Sequence, residues 1–537
     1  MSASVLAPAA ARRGRLARLG PVLSPTGWAV LGLTILAAVI RFFYIGHQGF
    51  WFDEGNTALL VRRSAGGMLG LIPQTESTPP LYYMVAWVWV RIFGDTEAGL
   101  RSLSALAGVL TVPVAYGAAS RLLSGWRWGS AGRSPGDAAD GLGRRAGLIA
   151  ASLTACSPFL IWYSQEGRSY EMLVLLSGLG LLAFAQARAN PTPRALAGWV
   201  IACALSLLTH YYAAMLVVPE AVWLLWEHRR LRRVQVAVGL ALACGAALIP
   251  LALSQNSTGR DSWIGHSPFG LRLAQVIPQF LIGTGAPART LLKFIALALA
   301  LVSVGLLLRP GARDGRRGAV LAGGLALSGF VITLGLVAVG SDFLITRNII
   351  VLWLPAAIAV SGALAVAPRW LGGSLAAGLC TIGLIAAIGV DANYNLQRPN
   401  WRPVAAALGA GPAPGQDRLL LIQHYRTLLP LSLYVPHLSF LRGAGVAAHK
   451  VSQVDVISIR SPQQPLCWWG AACNLIPSQM QARFTIPGFH VAWRRQVEQF
   501  TIVRLVSDHP VTVSARQVGA ALQTTELRHD GLLVQRS

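Results

Sequence analysis

The chain has 537 residues, 54% of them hydrophobic and only 12% charged, where soluble domains carry about 25% charged residues. This excludes the string of soluble domains that the length alone would allow. The formal net charge of +24 does not point to nucleic acid, because the arginines gather in short loops between apolar runs, which is the orientation code of membrane proteins.

From the N-terminus, the basic stretch 1–26 contains ARRGRLARLG and is predicted to be cytoplasmic. The apolar run Trp28–Ile45 is longer than the core of a signal peptide and is taken as an uncleaved first span. Spans are predicted at about 27–46, 101–123, 146–163, 170–188, 195–210, 213–227, 234–253, 289–308, 318–340, 347–366 and 370–390. Each apolar run is of the order of 20 residues, enough to cross about 30 Å of hydrocarbon. Leu81–Phe93, LYYMVAWVWVRIF, is short for a span and suits an interfacial or re-entrant helix. With it left out, most loop arginines, such as Arg229, Arg230, Arg232 and Arg233, fall on one side, the cytoplasm. Gly125–Gly143 reads as a flexible cytoplasmic loop.

An odd number of spans then puts the tail from Asp391 outside. The tail shows β-like runs at Leu419–Ile422, Val454–Ile459, Phe500–Leu505 and Val511–Val513, with helix-like stretches at Val404–Leu408 and Gln517–Leu522. The predicted fold is therefore an α-helical polytopic membrane protein, with a transmembrane part over 27–390 and a small extracytoplasmic α/β domain over 391–537. Localisation follows as a bacterial-type inner membrane.

Cys156, Cys203, Cys244 and Cys380 lie in apolar runs as small hydrophobes. Cys467 and Cys473 lie in the polar tail, where a disulfide is permitted but not required. No CxxC or HExxH signature appears. The outer loops lack an acidic or His cluster with ligand spacing, so no cofactor and no metal dependence are expected.

The chemistry-bearing residues collect on the predicted outer face. HQGFWFDEGNTALLVRR brings adjacent Asp53 and Glu54 behind three aromatics. A carboxylate beside apolar surface is disposed to take a proton, which suits a general base; a solvated loop carboxylate is the plain alternative. TESTPPLYYMVAWVWV adds Pro79, Pro80 and Tyr82, and Arg101 opens the second span. SPFLIWYSQEGRSYEM packs Tyr163, Gln165, Glu166, Arg168 and Tyr170 into one turn. LTHYYA contributes His210, Tyr211 and Tyr212, SDFLITRNIIVLWLP contributes Arg347, and Arg41 ends the first span. Arginines at headgroup level fit a lipid phosphate, which they bind bidentately; snorkelling to the interface is the alternative for each.

The runs FWFDEG, TPPLYYMVAW, LRSLSALAGVLTVPVAY and SPFLIWYSQEGRSYEM, in that order and spacing, resemble the C-type glycosyltransferase superfamily. The likeness is to its family 39 branch of protein mannosyltransferases and aminoarabinose-lipid A transferases. It covers about 40–215 closely and continues weakly to 390, and the RPNWRPVAAAL entry to the tail is also similar. The resemblance implies a polyprenyl-phosphate sugar donor, hexosyl or pentosyl transfer outside the cytoplasm with inversion, and a lipid, glycan or protein acceptor. It implies Asp53 and Glu54 as the catalytic acids, with the first as base. Arg41, Tyr82, Arg101, Tyr163, Glu166, Arg168, Tyr170, His210, Tyr211 and Arg347 are the expected substrate-binding residues. Many members have a basic residue or His just before the prolines, where this chain has Thr78; Arg101, Arg168 or Arg347 is expected to contact the phosphate instead. No GxxxxGK[ST] or GxGxxG cradle is present, which fits a lipid-linked donor. The competing reading is a transporter or flippase of a polar lipid, for which intramembrane charges such as Glu220 would suit, although no inverted repeat is visible.

Overall fold

A computed structural model describes residues 24–124, 137–309, 313–422, 428–440, 448–459, 485–514, 517 and 531–537. Helix α1, Pro25–Phe42, starts at a Ser24 side-chain cap with proline in its first turn, a strong N-terminal signal. Trp28, Ile35 and Val39 are exposed on it while Arg41 is fully buried, as expected of a lipid-facing helix with one inward edge.

The segment after α1 folds into three helices, α2 (Phe52–Val61), α3 (Ala65–Thr75) and α4 (Leu81–Phe93). The last is the short aromatic segment. Its 13 residues extend about 20 Å, too little to cross. It buries Tyr82, Tyr83, Ala86 and Val90, exposes Met84, Val88 and Ile92, and stops at Gly94, whose φ is 85°.

The membrane part continues with α5 (Glu97–Leu123), α6 (Asp137–Cys156), α7 (Pro158–Ser164), α8 (Tyr170–Ala189), α9 (Pro193–Thr209), α10 (Ala214–His228), α11 (Arg232–Ala247) and α12 (Ile249–Asn256). After the short α13 (Trp263–His266) come α14 (Phe269–Ile282), α15 (Arg289–Gly305), α16 (Arg313–Ala338), α17 (Trp353–Val366) and α18 (Arg369–Asp391). Among the described residues, eight helices are long and apolar enough to cross a membrane, or nine if the bent pair α6–α7 is one span. The other two predicted spans correspond to α9 and α10, of 17 and 15 residues.

The bend in the α6–α7 pair is 56° and has a local cause. Pro158 has no N–H for the carbonyl of Thr154. Arg41 donates to that carbonyl at 2.9 Å and to the carbonyl of Ala155 at 3.0 Å. The predicted flexible loop 125–143 needs correction, since its part from Asp137 is helical. Its glycines serve close packing: a Cβ on Gly143 or Gly147 would sit 2.7 Å or 2.2 Å from Ser120 atoms of α5. Residues 125–136 lie outside the described residues.

The tail has helices α19 (Trp401–Leu408) and α20 (Leu428–Leu431) and a six-stranded sheet of order β2-β6-β1-β3-β5-β4. The strands are β1 (Asp417–Ile422), β2 (Leu438–Phe440), β3 (Ala448–Ile459), β4 (His490–Val497), β5 (Phe500–Ser514) and β6 (Gly531–Arg536). β1 and β3 run parallel; the other pairs are antiparallel. The two runs predicted at 500–505 and 511–513 form one strand, β5. Trp401, Val404 and Leu408 of α19 pack on one sheet face. Of the stretch Gln517–Leu522 only Gln517 is described, and Cys467 and Cys473 lie outside the described residues. Cys156, Cys203, Cys244 and Cys380 are free thiols.

Candidate active site

Asp53 and Glu54 fall in the first turn of α2, where the helix dipole favours negative charge. Neighbours on a helix point about 100° apart, so the two carboxylates face different surroundings. Glu54 points inward and is 0% exposed. It takes two hydrogen bonds from Arg101, one of them 2.7 Å from Nε, and a third from the Gly167 N–H at 2.7 Å. Arg101 gives its other donors to the carbonyls of Ile45, Gln48 and Gly49. Its guanidinium is thereby committed to holding the loop between α1 and α2 on α5.

Asp53 points outward. Its carboxylate accepts from Arg347 Nη1 at 2.8 Å. Each acid thus has its own arginine, in place of the like-charge pair suggested by adjacency in sequence. Arg101→Ala leaves Glu54 buried and unpaired, a change that costs about 3–5 kcal/mol. A large fall in melting temperature of the purified protein checks this; wild-type stability would contradict it.

Asp53 borders a cavity of about 80 Å³. Arg347, Arg168, Glu76, Tyr170, His210 and Asn348 line the same space, with Arg260, Asp261, Trp263 and Leu429 also at its walls. Arg168 Nη1 donates to both oxygens of Glu76 at 3.0 and 3.1 Å, and Asn56 donates to Glu76 at 2.6 Å. The His210 ring lies between Tyr170 and Tyr212, with centroids 5.9 and 4.8 Å away. Its Nδ1 accepts the Tyr212 N–H at 3.3 Å, which leaves Nε2 to carry the proton of a neutral ring. The Arg347 guanidinium sits 5.7 Å from the Trp263 ring. A cavity with paired carboxylates and arginines can take up an anion at the arginines and release a carboxylate to accept a proton.

Of the expected substrate-binding residues, Arg168, Tyr170, His210 and Arg347 line this cavity and the others do not. Arg41 is consumed by the α6 carbonyls and by Ser164 Oγ at 3.1 Å. Tyr82 is buried in the packing of α2, α3 and α4. Tyr163 lies behind Tyr170, edge-on at 4.9 Å. Tyr211 donates to Gln255 at 2.8 Å. Arg101 is tied to Glu54.

Glu166, the remaining one, is 0% exposed and accepts from Arg398 Nη2 at 2.8 Å. Burial pushes its carboxyl up to about 7, against the opposing pull of Arg398. The native protein therefore holds a proton over a range where the unfolded chain, with a carboxyl near 4.3, has lost it. Stability from this group is full below about pH 4 and is lost as pH rises towards 7. Glu166→Gln should flatten the wild-type decline in melting temperature between pH 5 and 7.5; a parallel decline in both proteins would contradict this.

Sequence reasoning missed Glu76, Asn348, Arg260, Asp261, Trp263 and Leu429 as parts of the site, and Arg398 as the partner of Glu166. Glu76 stands in TESTPP beside the proline pair, so its position was visible even though its partner was not.

Residues 138–253 match the family model of dolichyl-phosphate-mannose-protein mannosyltransferase. A curated relative from Pseudomonas fluorescens, undecaprenyl phosphate-alpha-4-amino-4-deoxy-L-arabinose arabinosyl transferase 1, is 29% identical over 252 residues. That alignment spans 44% of this chain and 40% of the relative. The fold matches the crystal structure of ArnT from Cupriavidus metallidurans bound to undecaprenyl phosphate, with TM-score 0.53, 15% identity, and 90% and 98% of the two chains covered. The apo ArnT structure gives TM-score 0.53 at 14% identity over 89% and 98%. In fold this chain is similar to ArnT, and over residues 138–253 it is similar to the dolichyl-phosphate-mannose-protein mannosyltransferase family.

Proposed function

We propose that the protein is a membrane glycosyltransferase that moves a hexose or pentose from a polyprenyl-phosphate donor to an acceptor hydroxyl outside the cytoplasm, with inversion. The observation that carries this reading is the Asp53–Arg347 pair, 2.8 Å apart at the cavity wall. An incoming phosphate competes for Arg347 and frees the Asp53 carboxylate. Asp53 then takes the proton of the acceptor hydroxyl. The acceptor oxygen bonds to the anomeric carbon from the face opposite the leaving group, and the bond from that carbon to the phosphate oxygen breaks. The electron pair leaves with the lipid phosphate, whose charge Arg347 and Arg168 stabilise. Glu54, held by Arg101, positions the α2 turn and does not itself touch substrate.

Similarity to a protein named for undecaprenyl-phosphate aminoarabinose transfer supports the donor class. With arginines as the counter-charge, the reaction proceeds without a metal ion. Purified protein should transfer radiolabelled sugar from a polyprenyl phosphate to a hydroxyl acceptor, with the same rate after chelator treatment. Absence of transfer, with lipid movement across vesicles instead, would replace this reading by the flippase one.

The loop arginines put the catalytic face and the tail outside a bacterial inner membrane. A reporter fused after Asp391 should be active only outside the cytoplasm, and one inserted within 125–136 only inside. An inside signal from the Asp391 fusion would reverse the topology.

A further inference from the structure

The α2 turn that carries Asp53 is gripped from behind by the C-terminal domain, at four points. The Gly49 N–H donates to Asn400 Oδ1 at 2.8 Å. One residue on, the Phe50 N–H donates to the Tyr434 hydroxyl at 2.6 Å. That hydroxyl in turn donates to Glu97, which also pairs with Arg402. Third, α2 itself lies against α20: a Cβ on Gly55 would sit 2.9 Å from the Pro430 nitrogen and 3.1 Å from the Leu429 carbonyl carbon. The glycine of FWFDEG is thus the residue that lets the α2 backbone approach the tail backbone. Fourth, Arg398, at the entry to the tail, has its guanidinium 4.0 Å from the Trp162 ring and 5.5 Å from the Trp51 ring while it bonds Glu166. Leu429 also reaches the cavity wall.

The domain therefore does more than sit beside the membrane part. Backbone N–H groups at 49 and 50 have tail side chains as acceptors, four and three residues before Asp53. Buried backbone donors need such acceptors, and losing one frees the segment to move. We propose that the C-terminal domain is a positioning element for the reaction, with Tyr434 as its principal positioning residue. It fixes the segment 45–55, and with it the Asp53 carboxylate, relative to the arginines of the cavity. The inference rests on the glycosyltransferase reading for its kinetic consequence, but not for the clamp itself.

Tyr434→Phe keeps the ring and removes both hydroxyl hydrogen bonds. Amide exchange over residues 45–58 should accelerate, which is a direct reading of the clamp that needs no substrate. With undecaprenyl phosphate carrying a radiolabelled hexose or pentose and a small alcohol as acceptor, kcat should fall about 10–100-fold, the scale of effect expected when a reacting group is misplaced by about 1 Å. KM for donor and for the small alcohol should stay as in wild type, because neither the phosphate contacts nor an extended acceptor surface is altered. Asn400→Ala removes the neighbouring contact and should give the same split in smaller degree; it carries the test if Tyr434→Phe does not fold. Unchanged exchange in both variants overturns the clamp. Faster exchange with wild-type kcat overturns the positioning role, as does a rise in KM for the alcohol with kcat unchanged, which would make the domain an acceptor site. If wild-type protein transfers no sugar, the functional reading fails, and the exchange data still decide the clamp.

Discussion

Asp53→Asn should lower turnover by about 10²–10⁴-fold, the usual worth of a general base. The amide keeps the shape and still accepts a hydrogen bond from Arg347, whose Nη1 lies 2.8 Å from Oδ2 in the native pair. What it loses is the capacity to accept the acceptor's proton. Donor affinity should change little or rise slightly, because Arg347 no longer has a charged competitor for the phosphate. Glu54→Gln should behave differently. Glu54 is fully buried and bonded to Arg101 and to the Gly167 amide, so its loss shows first in stability. Steady-state rates together with melting temperatures of the two variants separate the roles. Near-normal turnover in Asp53→Asn would remove Asp53 from the mechanism.

The second large effect is expected at Arg347. Arg347→Ala removes a charge-assisted bond to the leaving phosphate, worth about 1.5–3 kcal/mol, or roughly 10–100-fold in donor affinity. The rate should fall further, since charge on the phosphate grows as the bond breaks. Arg347→Lys restores the charge but not the planar fork, and so should recover only part of the loss. Equilibrium binding of labelled polyprenyl phosphate to wild type and both variants checks this. Equal affinity in all three would assign the phosphate to Arg168 or to other groups at the cavity.

The sequence made the membrane architecture readable because the spans are written in long apolar runs that no soluble fold requires. The short aromatic helix Leu81–Phe93 was legible by its length alone. The α-helical membrane part and the sheet-bearing tail were both foreseen. Strand β4 was not, because HVAWRRQV is an edge strand with most side chains exposed and no apolar alternation. Strand β2 has three residues, too few for periodicity to register.

In the site, the acids could be located, but only the family resemblance ranked one above the other. Asp53 and Glu54 differ only in which way a helix turn points them, and that direction is set by Arg101 of α5 and Gly167 of a distant turn. The arginines were equally ambiguous. Arg41, Arg101, Arg168 and Arg347 each look like a candidate phosphate ligand when read along the chain. Only three-dimensional partners separate Arg41, spent on the carbonyls of a proline-broken helix, from Arg347 at the cavity wall. The Arg398–Glu166 and Tyr434–Glu97 contacts join residues 232 and 337 positions apart, beyond the reach of any local pattern.

The central claim is that Asp53 activates an acceptor hydroxyl against a sugar held by its lipid phosphate at Arg347. Its most direct test is single-turnover transfer from radiolabelled polyprenyl-phosphate sugar, with donor binding measured on the same samples of wild type and Asp53→Asn. The account predicts that wild type yields product of inverted anomeric configuration, while Asp53→Asn binds the donor and holds it untransferred. Transfer at the wild-type rate by Asp53→Asn, or product that retains the donor's configuration, would contradict it.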